Sequence, residues 1–141
     1  MALTQKSAHA CLERGFAKAQ SLGFKVAIAV VDDAGHLVAC ERMDGALWVT
    51  PEIARAKANA AAAFRTTTLD LEERFNKGRQ LFASSVAALG DYAFVFGRGG
   101  VPLVEGGQVV GAVGVSGAVP ADNDHTIADE AAGRPELPRS H

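Results

Sequence analysis

The segment that most restricts the fold is RGGVPLVEGGQVVGAVGVSGA, residues 98–118, which holds seven of the chain's fifteen glycines. Gly106-Gly107 separates two apolar runs, VPLVE and QVVGAVGVS. Two such runs around a two-residue glycine turn define a β-hairpin. Gly111, Gly114 and Gly117 then recur along the second run and its end. A phosphate-binding loop needs its glycines between a strand and a helix, where N–H groups can point at the anion. These glycines belong to a β-branched strand, and neither GK[ST] nor GxGxxG occurs. Alternation puts Val109, Gly111, Val113, Val115 and Gly117 on one face, and Gln108, Val110, Ala112, Gly114 and Ser116 on the other. Beyond Val110 the second face is bare. Glycine weakens a strand, and it marks a bulge or the close approach of a ligand or another backbone. Two readings stay open: a helix or second subunit packed hard against the strand, or a flat shelf for a ligand.

The remaining elements follow from periodicity. LTQKSAHACLERGFAKAQSLG has the apolar spacing of a helix, with Thr4 or Ser7 as cap and Gly23 as stop. FKVAIAVVD and HLVACERM flank the turn signal DDAG and form a first hairpin. Thr50-Pro51 opens an alanine-rich helix, EIARAKANAAAAFR. Thr68 is expected to cap a short helix carrying Asp70 and Glu72 near its start. RQLFASSVAALG is a further short helix or compact loop, and YAFVF reads as a strand. Pro102 argues that VPLVE lies at a sheet edge or starts there. ADNDHTIADEAA closes as a helix with Asp122 or Asn123 as cap. The expectation is an α+β fold, with a five-stranded antiparallel sheet near residues 25–32, 36–43, 92–96, 101–105 and 108–116 and flanking helices.

A chain of 141 residues is one domain by length. Residues 1–133 are assigned to it, and 134–141, with two prolines, to a flexible tail. Fourteen basic against sixteen acidic residues, with no basic block, argue against a nucleic-acid surface. The N-terminus lacks an apolar signal core and no run reaches membrane-spanning length, so the chain reads as cytoplasmic, with no membrane partner. Cys11 and Cys40 form neither a disulfide framework nor a zinc knuckle, and read as buried small side chains.

VAIAVVDDAGHLVACERMDGA and GGVPLVEGGQVVGAVGVSGA together resemble the two signature blocks of the GlcG/HbpS-like family, which includes the C-terminal domain of PduO-type proteins. ARAKANAAAAF followed by threonines, the glycine-rich hairpin and the closing helix match in order, over residues 5–132. The resemblance implies a profilin-like or PAS-like layer fold and a symmetric homo-oligomer. It also implies a small-molecule ligand, with haem as the candidate cofactor. Other family members lie beside catabolic genes and have no settled activity, so fold transfers better than function.

Several side chains could carry chemistry. His9 on the first helix is the candidate iron ligand, against a plain exposed helix position. His36 at the hairpin turn reads as solvated, and His141 lies in the tail. His125 in DNDH could act as a general base, against a simple first-turn position. Asp44 is the other acid–base candidate. Arg42 and Lys57 could hold carboxylates, either haem propionates or a small organic acid. The resemblance adds Thr68 to a haem pocket. Gly99 and Gly100 offer backbone N–H groups without side chains, and Ser116 ends the bare strand face. The alternative to haem binding is a cofactor-free lyase or isomerase acting on a small organic acid. That alternative uses Arg42 or Lys57 for the carboxylate and Asp44 or His125 as acid–base. The expected site gathers Arg42, Asp44, Lys57, Thr68 and the Gly99-Gly100 turn at one sheet end.

Overall fold

The computed structural model describes residues 2–134. Five helices and four strands run in the order α1 (Gln5–Leu22), β1 (Ala27–Asp32), β2 (Leu37–Arg42), α2 (Thr50–Phe64), α3 (Thr68–Asn76), α4 (Gln80–Ala87), β3 (Gly100–Glu105), β4 (Gln108–Ser116) and α5 (Asp122–Ala131). The sheet order is β2-β1-β4-β3, and each neighbouring pair is antiparallel. The expected hairpins are therefore present, with β1 and β4 central. β3 is an edge strand, as Pro102 requires.

The sheet has four strands, not five. Residues 92–96 form no strand and pair with none. Their backbone instead takes a bond from Val95 N–H to the Ala56 carbonyl, 3.3 Å, and Asn59 donates to the Ala93 carbonyl at 3.3 Å. Phe94 and Phe96 pack edge-on against Phe64, and Phe96 also meets Phe75, with centroids 4.9 Å apart. The alternation that suggests a strand is real. It serves an aromatic cluster between α2 and α3 instead of a sheet.

The bare face of β4 receives a helix of this chain. A Cβ on Gly114 would collide with the Ala54 carbonyl and lie 2.8 Å from the Ala58 nitrogen, both in α2. Ala54, Ala58, Ala61 and Ala62 are buried against Ala27, Ala29, Val31 and Ala112. Small side chains on both surfaces let helix and sheet backbones approach closely. The opposite face carries Val113 and Val115 into the main core with Ala8, Leu12, Ile28, Val30, Ile127 and Ala131, under α1 and α5. The sheet is thus sandwiched between α2 and the α1–α5 pair. Of the two readings of the glycine face, close helix packing is the one observed.

Caps explain the helix boundaries. Thr4 caps α1 in a reciprocal box with Ser7, and Gly23 ends it at φ 82°. The cap of α3 is Thr67, whose side chain accepts from Asp70 N–H, and not Thr68. Thr68 lies inside the first turn and is fully buried, so its hydroxyl is used elsewhere. The cap position of α5 is Ala121, which has no capping group, so neither Asp122 nor Asn123 is the cap; both lie inside the helix, and Asp122 pairs with Arg98. The tail expectation for 134–141 concerns residues that, beyond 134, lie outside those described, as does His141.

Candidate functional site

Antiparallel pairing brings four strand ends together. Ala27 opposes both Arg42 and Ser116, and Gly100 opposes Gly114. The register sets Arg42, Gly100 and also Ser116, which the expected site did not include, near one sheet end. What happens there divides into a buried joint and an open cleft.

The joint is made by Lys57, Thr68, Gly99, Gly100 and Asp124. Lys57 is buried on α2, and its Nζ donates to the Val115 carbonyl at 3.0 Å and to Asp124 Oδ2 at 3.1 Å. Asp124 Oδ1 accepts from Ala118 N–H at 2.9 Å. Burial pushes the Asp124 carboxyl above the usual aspartate range, while the Lys57 charge and the Ala118 bond act in the opposite direction. Gly100 N–H donates to Thr68 Oγ1 at 2.8 Å. A Cβ on Gly99 would lie 2.6 Å from the Val115 carbonyl and 3.1 Å from Lys57 Cδ. These residues do come together, but the Lys57 ammonium, the Thr68 hydroxyl and the Gly100 N–H all have partners within the chain. Sequence reasoning missed Asp124. The signal was available as a charged residue, Lys57, amid the alanines of α2, which needs a buried anion opposite it.

The cleft opens beside the joint and measures about 580 Å³. It is lined by the end of β4 and its following loop (Ser116, Gly117, Ala118, Val119), the start of α2 (Val49, Thr50, Ile53) and the turns at Phe24-Lys25 and Gly45–Leu47. Ala121 and Asp124 close the α5 side. Leu47, Trp48 and Val119 stand 72%, 76% and 82% exposed at or beside its rim. Arg42 and Asp44 are exposed near this end, and no ion pair engages either among the described residues.

The other candidates lie apart. His125 is buried on α5, with Nε2 3.1 Å from Asp129 Oδ2 and Nδ1 without a hydrogen-bond partner. No hydrogen bond joins it to exposed Asp44 among the described residues. His9 is exposed on α1 with Nε2 3.1 Å from Glu13 Oε1. His36 is more exposed, 3.6 Å from Asp32. Among the described residues no group of three or more His, Cys, Asp or Glu side chains could hold a metal ion. Nor does any described helix have the length and apolarity to cross a membrane.

These features define an α+β protein, with an antiparallel sheet between helical layers and a ligand-sized cleft at one sheet end. The chain belongs to the HbpS-like family, described as haem-degrading, whose model matches residues 3–133. Protein GlcG of Escherichia coli (strain K12) is 40% identical over 116 residues, 81% of each chain. A solved PduOC:heme complex superposes with a TM-score of 0.84 at 30% identity, covering 96% of both chains. A structure of HbpS reaches the same TM-score of 0.84 at 28% identity, covering 94% of this chain and 89% of that one.

Proposed function

We propose that the chain binds haem at an exposed site on α1, with the His9 imidazole as the iron ligand. The observation that carries this reading is the His9–Glu13 unit. A carboxylate 3.1 Å from Nε2 orients the ring and leaves Nδ1 to face a metal, as partners of metal-bound histidines do. The unit sits on a capped helix, and exposed Lys6 lies one turn earlier, where a cation can meet a propionate. The cleft fits iron less well, because no His, Cys, Met or Tyr is among the residues that line it. The family membership and the haem complex of a relative support the same ligand class. Bound haem would supply a redox-active iron, while this chain supplies the imidazole, its carboxylate partner and a nearby cation.

An exposed haem needs a cover, and we assign it to a second copy in a homo-oligomer. The support is α4, none of whose residues is buried although Leu81 is 82% exposed, with Leu89 and Tyr92 exposed beyond its end. Titration with haemin tests the ligand reading. A Soret band should saturate at a fixed haem-to-chain ratio, and His9→Ala should abolish it while His36→Ala leaves it unchanged. An unaltered band in His9→Ala removes His9 from the role.

A further inference from the structure

We propose that the cleft at the sheet end, separate from the His9 surface, binds a small monocarboxylic acid with an apolar body. The polar half of the argument starts at Ser116. This residue is 6% exposed, lines the cleft, and its hydroxyl meets no hydrogen-bond partner among the described residues. The Ser116 oxygen is not among the enclosed unpaired polar atoms, so it opens on the cleft, where it can hydrogen-bond to a ligand. Next to it, the N–H groups of Gly117, Val119 and Ala121 donate to no described residue, and they lead into the uncapped start of α5. Free N–H groups at a helix start favour an anion.

Charge points the same way. The charged residues lining the cleft are Lys25 and Asp124. Asp124 is already matched by Lys57 and the Ala118 N–H, so Lys25 sets the sign. The Lys25 stem runs past Gly45, where an added Cβ would lie 3.7 Å from its Cγ. One cation, one hydroxyl and a run of N–H donors suit one carboxylate. They do not suit a phosphate ester with two charges and no second cation.

The rest of the lining is apolar. Phe24, Ala46, Leu47, Val49, Ile53 and Val119 leave room well beyond a two-carbon acid, within the usual range of small-molecule pockets. An alkyl or aromatic body would cover Leu47 and Val119, which are otherwise left in water.

Trp48, the chain's one tryptophan, stands beside this rim and reports on it. The test follows Trp48 fluorescence and calorimetric heat while 4-phenylbutanoate, 4-phenylbutan-1-ol and 4-phenylbutylammonium are added to the intact protein. The acid should bind saturably and at least about tenfold more tightly than the alcohol, with the amine weakest. Exposed Lys25, changed in Lys25→Glu, should lose about tenfold or more for the acid alone, and Ser116→Ala should lose severalfold. His9→Ala should bind the acid like the parent, which separates this site from the haem reading. No saturable binding, equal affinity for acid and alcohol, or an unaffected Lys25→Glu each overturns the proposal. Haemin displacing the acid with the same sensitivity to Lys25→Glu would make the cleft a tetrapyrrole site and overturn the small-acid assignment. Trp48 burial that depends on protein concentration, with no response to acid, would give the rim to a second copy and overturn it too.

Discussion

Replacing Lys57 by methionine isolates the most consequential polar contact in the molecule. The stem volume is nearly kept, while the charge is removed from a pair whose side chains are only 7% and 5% exposed. Asp124 is then left buried with the Ala118 N–H as its remaining partner, and the Val115 carbonyl loses its donor. Removing one member of a buried ion pair typically costs about 3–5 kcal/mol, so Lys57→Met should lose that much at neutral pH. Asp124→Asn should also destabilise, because its single amide oxygen can keep only one of the two bonds that Oδ1 and Oδ2 accept, and the Lys57 charge stays buried without an anion. Acid should narrow the gap. In the folded parent the Asp124 carboxyl titrates above the 3.8 of an ordinary aspartate, chiefly because of burial. The folded state therefore holds this proton in a window where the unfolded chain has released it. The group's contribution to stability falls as pH rises through that window. Without Lys57 the window extends further upward, so the deficit of Lys57→Met should be larger at about pH 7 than at about pH 5. Urea unfolding of parent and both variants at the two pH values measures this. A deficit below about 1 kcal/mol, or one independent of pH, refutes the claim that the pair is a desolvated ionic contact.

Three further outcomes bear on packing and assembly. Gly114→Ala should cost about 3 kcal/mol or leave no soluble protein, since the added methyl meets helix backbone that cannot turn aside. Gly107→Asn, with open space around it and a φ of 78° that asparagine tolerates, should lose under about 1 kcal/mol in the same denaturation assay. Light scattering at micromolar concentration should give a multiple of 14.6 kDa, and Leu81→Glu with Leu89→Glu should reduce it to one chain. A parent that already scatters as a single chain removes the assembly reading.

The two hairpins, the Thr4 cap, the Gly23 stop and the edge position of Pro102 were all legible in the sequence, because each depends on local geometry. The nearness of Arg42 to Gly100 at one sheet end was legible too, since strand length and hairpin sense determine it, whereas Ser116 was not placed there. Residues 92–96 misled because an aromatic alternation looks the same whether it faces a sheet or a helix cluster. Thr68 was placed one residue too early in its role, since neighbouring threonines compete for the cap and only burial decides between them. The partner of Lys57 was hidden because Asp124 is distant in sequence and sits beside a more conspicuous histidine. The cleft was illegible for a different reason. Its wall comes from five separate segments, and none carries a motif.

The contact between Gly114 and the α2 backbone also bears on how the molecule moves. Where a side chain separates two elements, a rotamer change can absorb a small displacement. Here peptide groups meet directly, and sliding α2 along β4 would drive the Gly114 Cα over the Ala54–Ala58 turn. Helix and strand therefore travel as one stiff body, pinned again at the end by Lys57. Two walls of the cleft, the start of α2 and the end of β4, belong to that body and hold a constant separation. Entry to the cleft must then be governed by the segment from Asp44 to Trp48, whose Leu47 and Trp48 side chains find little purchase on the core. Exchange of a molecule there would be timed by loop motion, on the nanosecond-to-microsecond scale, and not by a slow parting of the layers.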